Sequence, residues 1–302
     1  MELLSVTDLV KKFGDTNAVN GITFNIEEGR CVSLLGSNGA GKTTALKMLS
    51  GLLEPTSGSI YFQGTKQRDI RKYIGYLPQY PAFFNWMSGK EFLIFAAELA
   101  KVNRKEAEKR SEELLERVGL LDARKRKIGG YSGGMKQRLG LAQALIHRPK
   151  LLILDEPVSA LDPLGRREVL DMMREIKQET TILFSTHVLH DAQEISDDIL
   201  IMNNGEIAIS GELETVMEQY RKPIIRIEFE SAESLEWLNR IEIYSFVSVV
   251  NIQGNVASIE LTDMEYGRQI LLEEIVNQRL PIRKFELVQT TLEDLFMEVV
   301  KA

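Results

Sequence analysis

The segment Gly36-Ser37-Asn38-Gly39-Ala40-Gly41-Lys42-Thr43-Thr44 constrains this chain more than any other stretch of it. It fits the pattern G-x-x-x-x-G-K-[ST]. A short apolar run, Cys31 to Leu35, precedes it, and Thr43 to Leu52 follows with Ala45, Leu46, Met48 and Leu49 at helical spacing. Strand, glycine loop and helix together make the pattern a phosphate site, because the free amides and positive dipole end of the helix point at the ligand. A nucleoside triphosphate carries several negative charges and needs donors at close range. Gly36, Gly39 and Gly41 let the backbone fold round the phosphates without Cβ clashes. Lys42 is placed to reach the β- and γ-phosphates and the Thr43 hydroxyl to ligate Mg²⁺. Asn38, Gly39, Ala40 and Thr44 supply further contacts.

Leu151 to Leu154 is an apolar run ending in Asp155 and Glu156, the signature of a central parallel strand with its carboxyl end at a site. Adjacent residues at a strand end point in different directions, so the two acids can divide the work. Asp155 can hold magnesium through water, and Glu156 can orient the attacking water or take its proton. Thr181 to Ser185 and Ile199 to Met202 read as further buried strands, and Asp162-Pro163 as a helix start with Asp as cap and Pro at the first position. Alternating strands and helices predict an α/β domain with a mostly parallel sheet. Residues 1–30, with turns at Phe13-Gly14-Asp15 and Glu28-Gly29, predict an antiparallel portion. His187 follows the Thr181 strand. By pattern alone a lone histidine there is more often structural; beside a γ-phosphate it could sense whether that group is present.

Composition narrows the class. A net charge of −7 leaves no polybasic footprint for nucleic acid, and a single cysteine, Cys31, excludes an internal disulfide framework. Cys31 reads as a small packing residue in a buried strand. No signal peptide opens the chain, and no run approaches the ~18 apolar residues that span a bilayer. Phe92 to Ala100 comes nearest, but contains Glu98 and is ended by Lys101. A soluble, cytoplasmic protein is expected. Ser88 to about Gly119 reads as helical, opened by a Ser88–Glu91 capping box. The charged stretch Lys101 to Lys127, including Arg124-Lys125-Arg126-Lys127, reads as a solvated face. Composition shifts near Arg221-Lys222-Pro223, which predicts two domains, 1–220 and 221–302. The second reads as strand (224–230), helix (232–241), strands (246–253 and 256–261), helix (264–279), strand (283–289) and a last helix (291–300), a ferredoxin-like α+β order.

A second glycine motif, Tyr131-Ser132-Gly133-Gly134-Met135-Lys136-Gln137-Arg138, lies between the phosphate loop and Asp155. Together with Leu151 to Pro157, these motifs resemble the ATP-binding cassette of ABC transporters over about residues 3–220. The resemblance implies a phosphate-loop ATPase fold with a mixed-sheet core, an antiparallel β subdomain and a helical subdomain carrying the signature loop. It implies an ATPase that uses ATP and Mg²⁺ and drives a separate membrane permease from the cytoplasmic face. Ser132, Gly133 and Gly134 resemble the signature loop, which in the family acts on ATP held by the opposite subunit. Two cassettes, expected as a homodimer with a heterodimer left open, then close head to tail. By position, Phe13 resembles the aromatic that stacks on adenine. Gln79, in Tyr76-Leu77-Pro78-Gln79, resembles the glutamine that ligates Mg²⁺ and feels the permease. Ser159-Ala160-Leu161-Asp162 resembles the loop linking the two sites, and Glu156 and His187 match the catalytic glutamate and switch histidine. Phe83, Phe84, Trp86 and Met87 fall where the family receives a permease helix. Tyr131 and Met135 replace the commoner Leu and Gln of the signature. That form, like Thr291-Leu292-Glu293-Asp294-Leu295-Phe296, resembles the subgroup with separate exporter-type permeases. No nucleic-acid partner is expected.

Overall fold

The computed structural model describes residues 1–64, 69–159, 161–230, 237–288 and 290–301. The chain divides into two compact units, Met1–Glu214 with the last residues from Val299, and Thr215–Glu298. The first runs β1 (Glu2–Phe13), β2 (Thr16–Glu27), β3 (Cys31–Leu35), α1 (Lys42–Leu49), β4 (Ser57–Phe62), β5 (Ile74–Leu77), α2 (Gly89–Leu99), α3 (Arg104–Arg117) and α4 (Gly133–Leu145). It continues through β6 (Leu151–Asp155), α5 (Pro163–Lys177), β7 (Thr181–Thr186), α6 (Leu189–Ile195), β8 (Asp198–Asn203) and β9 (Glu206–Glu212), and α7 (Leu213–Gln219) follows.

Strands β2-β1-β4 form an antiparallel sheet, and β5-β6-β7-β3-β8-β9 form the central one. The central sheet is parallel except for β9, which runs antiparallel beside β8. Both faces of its middle are covered, which is why β3, β6 and β7 are buried along their whole length, whereas the edge strand β9 alternates. Leu151 and Ile153 pack with Leu46, Leu49 and the antiparallel sheet. Leu152 and Leu154, one residue out of phase, pack with Leu93, Leu141 and Met173 on the other face. Each such side chain taken from water stabilises the fold by roughly 1.5–3 kcal/mol. Cys31 is buried here, and burial pushes its thiol up to about 12; it is a packing residue.

Register decides where the functional loops emerge. Leu35 of β3 lies opposite Thr186 of β7, and Asp155 of β6 lies opposite Ser185 of β7. The loops leaving β3, β6 and β7 therefore start level, side by side. These are the phosphate loop, the Asp155-Glu156 turn and the turn holding His187.

The helical stretch expected from Ser88 to Gly119 is two helices. Lys101 takes a left-handed conformation (φ 66°), which ends α2, and Asn103 starts α3 by accepting a hydrogen bond from the Glu106 amide at 3.0 Å. The capping box at the start of α2 is present in both halves: the Ser88 hydroxyl accepts from the Glu91 amide and the Glu91 carboxylate accepts from the Ser88 amide. Tyr131 fills the apolar gap under α2, and its buried hydroxyl donates to the Ala123 carbonyl at 2.8 Å.

The second unit holds β10 (Ile224–Phe229), α8 (Leu238–Ile241), β11 (Val247–Gln253), β12 (Val256–Leu261), α9 (Met264–Asn277), β13 (Ile282–Val288) and α10 (Leu292–Lys301) as far as Glu298. The helix predicted for 232–241 lies partly outside the described residues. The strands form an antiparallel sheet in the order β11-β12-β10-β13, the ferredoxin-like arrangement. Ile225, Ile227, Phe229, Ile259 and Leu271 make its core with Trp237. No described helix of the chain is long and apolar enough to cross a membrane.

Ser88→Ala removes the hydroxyl cap and leaves the Glu91 amide at the start of α2 without its acceptor. Urea denaturation should show a loss of about 1 kcal/mol. Unchanged stability would mean that tertiary packing alone holds that turn.

Candidate active site

The phosphate loop is built for close backbone approach. Gly41 caps α1 at φ 105°, and a Cβ there would meet the Ala18 carbonyl oxygen at 2.3 Å. No side chain caps α1, so its first-turn amides are left for a ligand. Lys42 folds back over the loop: its Nζ donates to the Gly36 carbonyl at 2.7 Å and the Ser37 carbonyl at 3.1 Å. Burial pulls the Lys42 ammonium below the usual lysine range, and the Glu156 and Asp155 carboxylates partly oppose that pull. Among the described residues no carboxylate is in ion-pair contact with it. A buried cation held only by carbonyl dipoles is the electrostatic condition that welcomes a polyanion.

Asp155 is the hub beside it. Its side chain is buried at 1% exposure, and its Oδ1 accepts from the Thr43 hydroxyl at 3.2 Å and the Ser185 hydroxyl at 2.7 Å. The Ser185 oxygen in turn accepts from the Glu156 amide at 3.0 Å. Glu156 sits at φ 47°, a left-handed conformation that a non-glycine residue adopts only under constraint. That turn sends its carboxylate away from Asp155. Glu156 Oε2 accepts from the Gln79 side-chain amide at 2.9 Å, and Oε1 lies 3.2 Å from His187 Nδ1. The Tyr76 hydroxyl is buried with no partner, and burial, with the Asp155 charge, pushes it above the usual phenol range.

Of the residues nominated from sequence, Lys42, Thr43, Asp155, Glu156, Gln79 and His187 gather around the carboxyl ends of β3, β6 and β7. Asn38, Ala40 and Thr44 flank them on the loop and on α1. Phe13 stands apart at the end of β1, half exposed at 52%, with the Lys11 ammonium 5.2 Å from its ring centroid. Ser132 caps α4 by accepting from the Met135 amide at 3.2 Å. A Cβ on Gly133 would meet nothing, and one on Gly134 only Leu161 Cδ2 at 3.6 Å. Among the described residues no hydrogen bond joins Ser132, Gly133 or Gly134 to the Asp155 network. Among the described residues, little is packed in front of Gly133 and Gly134. Ala160, in the Ser159–Asp162 loop, lies outside the described residues.

Ser185 was not nominated from sequence, although it joins both acids. The only signal was a hydroxyl at the end of the apolar run Thr181-Ile182-Leu183-Phe184, and its meaning depends on the β6–β7 register, which a single sequence does not display. Tyr76 was quoted only as the neighbour of Gln79.

Residues 19–159 match the family described as ABC transporter, and residues 211–300 match the one described as ATP-binding protein DrrA1-3-like, C-terminal domain. The uncharacterized ABC transporter ATP-binding protein YxlF of Bacillus subtilis (strain 168) is 50% identical, over 99% of this chain and 100% of that one. The daunorubicin/doxorubicin resistance ATP-binding protein DrrA of Streptomyces peucetius is 31% identical, over 97% and 91%. A solved ATP binding subunit of an ABC transporter superposes with a TM-score of 0.66 at 34% identity, over 72% of this chain and 93% of that one. A dimeric post-hydrolysis ATP-binding cassette bound to ADP and Pi superposes with a TM-score of 0.64 at 25% identity, over 70% and 99%. Glycine loop, paired acids at a strand end, a free signature loop and full-length similarity thus lead to one conclusion: the chain belongs to the ABC transporter family as its ATP-binding, ATP-hydrolysing subunit.

Proposed function

We propose that this subunit works as a head-to-tail homodimer that closes on two MgATP molecules and drives a separate export permease. The observation that carries this reading is an asymmetry within one chain. The phosphate loop, Asp155, Glu156, Gln79 and His187 converge, while Ser132, Gly133 and Gly134 remain outside with room in front of them. A second copy would complete each site by bringing Ser132 and the start of α4 to the γ-phosphate. The similar cassette solved as a dimer with ADP and Pi supports that reading.

In this reading the Lys42 ammonium leaves the Gly36 and Ser37 carbonyls for the β- and γ-phosphates, and Phe13 stacks on the adenine. Thr43 Oγ1 and the Asp155 carboxylate are hard oxygen donors already adjacent, a donor set that fits Mg²⁺, with Gln79 as a third. The ion would neutralise phosphate charge when bound. Glu156 holds the attacking water against the γ-phosphorus and takes up its proton as the bond to the β-phosphate oxygen breaks. His187, against Glu156, keeps that carboxylate aimed and contacts the γ-phosphate. Gln79, bonded to Glu156 and followed by the exposed Trp86 (69%) and Phe84 (47%), connects the site to the surface assigned to the permease. That reading puts the protein on the cytoplasmic face of the membrane. Export is the reading supported by the match of residues 211–300 to the DrrA1-3-like C-terminal domain and by the likeness to DrrA, named for daunorubicin/doxorubicin resistance.

Glu156→Gln should bind ATP yet lose roughly 10²–10⁴ in turnover, and should elute as a dimer on gel filtration with MgATP. A monomer with ATP shown bound would count against the closed pair. Lys42→Ala should lose nucleotide affinity, read by a fluorescent ATP analogue; unchanged affinity removes Lys42 from the site. Ser185→Ala leaves Asp155 short of a donor and should slow turnover about tenfold, the equivalent of about 1.4 kcal/mol. A wild-type rate would show that Thr43 alone suffices to hold Asp155.

A further inference from the structure

His187 is followed by α6, a helix of only seven residues, Leu189–Ile195. A helix that short has little stability of its own, and its placement depends on tertiary ties. One tie is an ion pair whose acid is buried and whose Arg166 side chain is 34% exposed. Asp191, at 1% exposure, accepts from Arg166 Nε at 2.9 Å and from Arg166 Nη2 at 2.5 Å, both on Oδ1. Its Oδ2 is buried without a partner. Arg166 lies in the first turn of α5, four residues after Asp162, the cap that ends the Ser159–Asp162 loop. Asp191 lies four residues after His187. The ion pair therefore spans two turns that both border the site: the one leaving Glu156 and the one carrying His187. Two further contacts repeat the link, since Glu194 of α6 accepts from Arg167 at 2.9 Å and from Arg174. His190, Asp191 and Glu194 also converge as a cation could require, but three arginines already supply the positive charge there.

A tie meant only for stability has no need of a buried carboxylate. An apolar side chain of the same volume is commonly as good there, and a buried oxygen with no partner among the described residues is a further penalty. What the Arg166 fork on Asp191 adds is direction: it specifies one orientation of α6 against α5. We propose that Arg166 and Asp191 are positioning residues for ATP hydrolysis. Their ion pair holds α6 to the first turn of α5 and so keeps His187 within reach of Glu156 and the γ-phosphate. This rests on the assignment of His187 made above.

The test uses the full-length protein with Arg166→Lys, which keeps the charge but loses the fork, and with Asp191→Asn, which keeps the shape. Each is made alone, in combination, and with His187→Ala. A displacement of His187 by about 1 Å should lower kcat about tenfold to 10²-fold. The KM for ATP should stay within about twofold, because the phosphate loop is untouched. The Arg166→Lys, Asp191→Asn double variant should be no slower than the worse single, and neither change should slow His187→Ala further. Losses that multiply with that of His187→Ala, or that follow the fraction unfolded at the assay temperature, would make the pair a plain brace and overturn the proposal. So would wild-type kcat in both single variants beside a crippled His187→Ala. Full turnover in His187→Ala itself would instead remove the histidine's assignment. Should Asp191→Asn fail to fold, Arg166→Lys carries the same readouts.

Discussion

A carboxylate inside a protein must be hydrogen-bonded or lose its charge, because the ionised form is far more costly to bury than a neutral group. Asp155 meets that demand at the end of a fully buried strand, and the site is arranged around it. Its partners come from two other elements: Thr43 from the helix after β3, and Ser185 from the strand β7. Both reach it only because β3, β6 and β7 are in register and end level. The apolar core on both faces of the sheet thus has a functional product. It fixes three strand ends so that a phosphate loop, a pair of acids and a histidine share one small volume.

Around that rigid hub the remaining groups are held less firmly. Lys42 rests on two carbonyl oxygens, contacts that a phosphate can replace at a gain. Glu156 is bent into a left-handed turn and shared between Gln79 and His187. Strain of this kind, on the order of 1–3 kcal/mol, persists where surrounding structure over-determines it, and it clusters at working sites. The segment Ser132–Gly134 is the reverse case: a helix start with two uncrowded glycines, not joined to the Asp155 network by any hydrogen bond among the described residues.

Much of this was legible in one sequence, and the reasons differ by residue. Gly36 to Thr44 declares itself because only glycines permit the Gly41 geometry and because lysine and threonine must follow at fixed offsets. The Ser88–Glu91 box and the Asp162-Pro163 start are local chemistry and read directly. Asp155 and Glu156 needed the apolar run before them. Phe13 and Gln79 carry no physical signal of their own and were reached only through family resemblance. The break at Lys101 was missed because a left-handed lysine has no sequence mark. Ser185, Arg166 and Asp191 were missed for a deeper reason: their roles depend on which strand or helix lies alongside, and that is set by tertiary register.

The central claim is that each ATP is held by one copy's phosphate loop and the other copy's signature loop. The native Cys31 is buried, so introduced thiols can be read cleanly. One batch of protein would carry Asn38→Cys and another Ser132→Cys, both with Glu156→Gln to block turnover, and the two would be mixed and oxidised with MgATP. The account predicts a disulfide-linked dimer of one chain of each kind, formed with nucleotide and lost without it. Mixed samples that remain monomeric under saturating MgATP would contradict it.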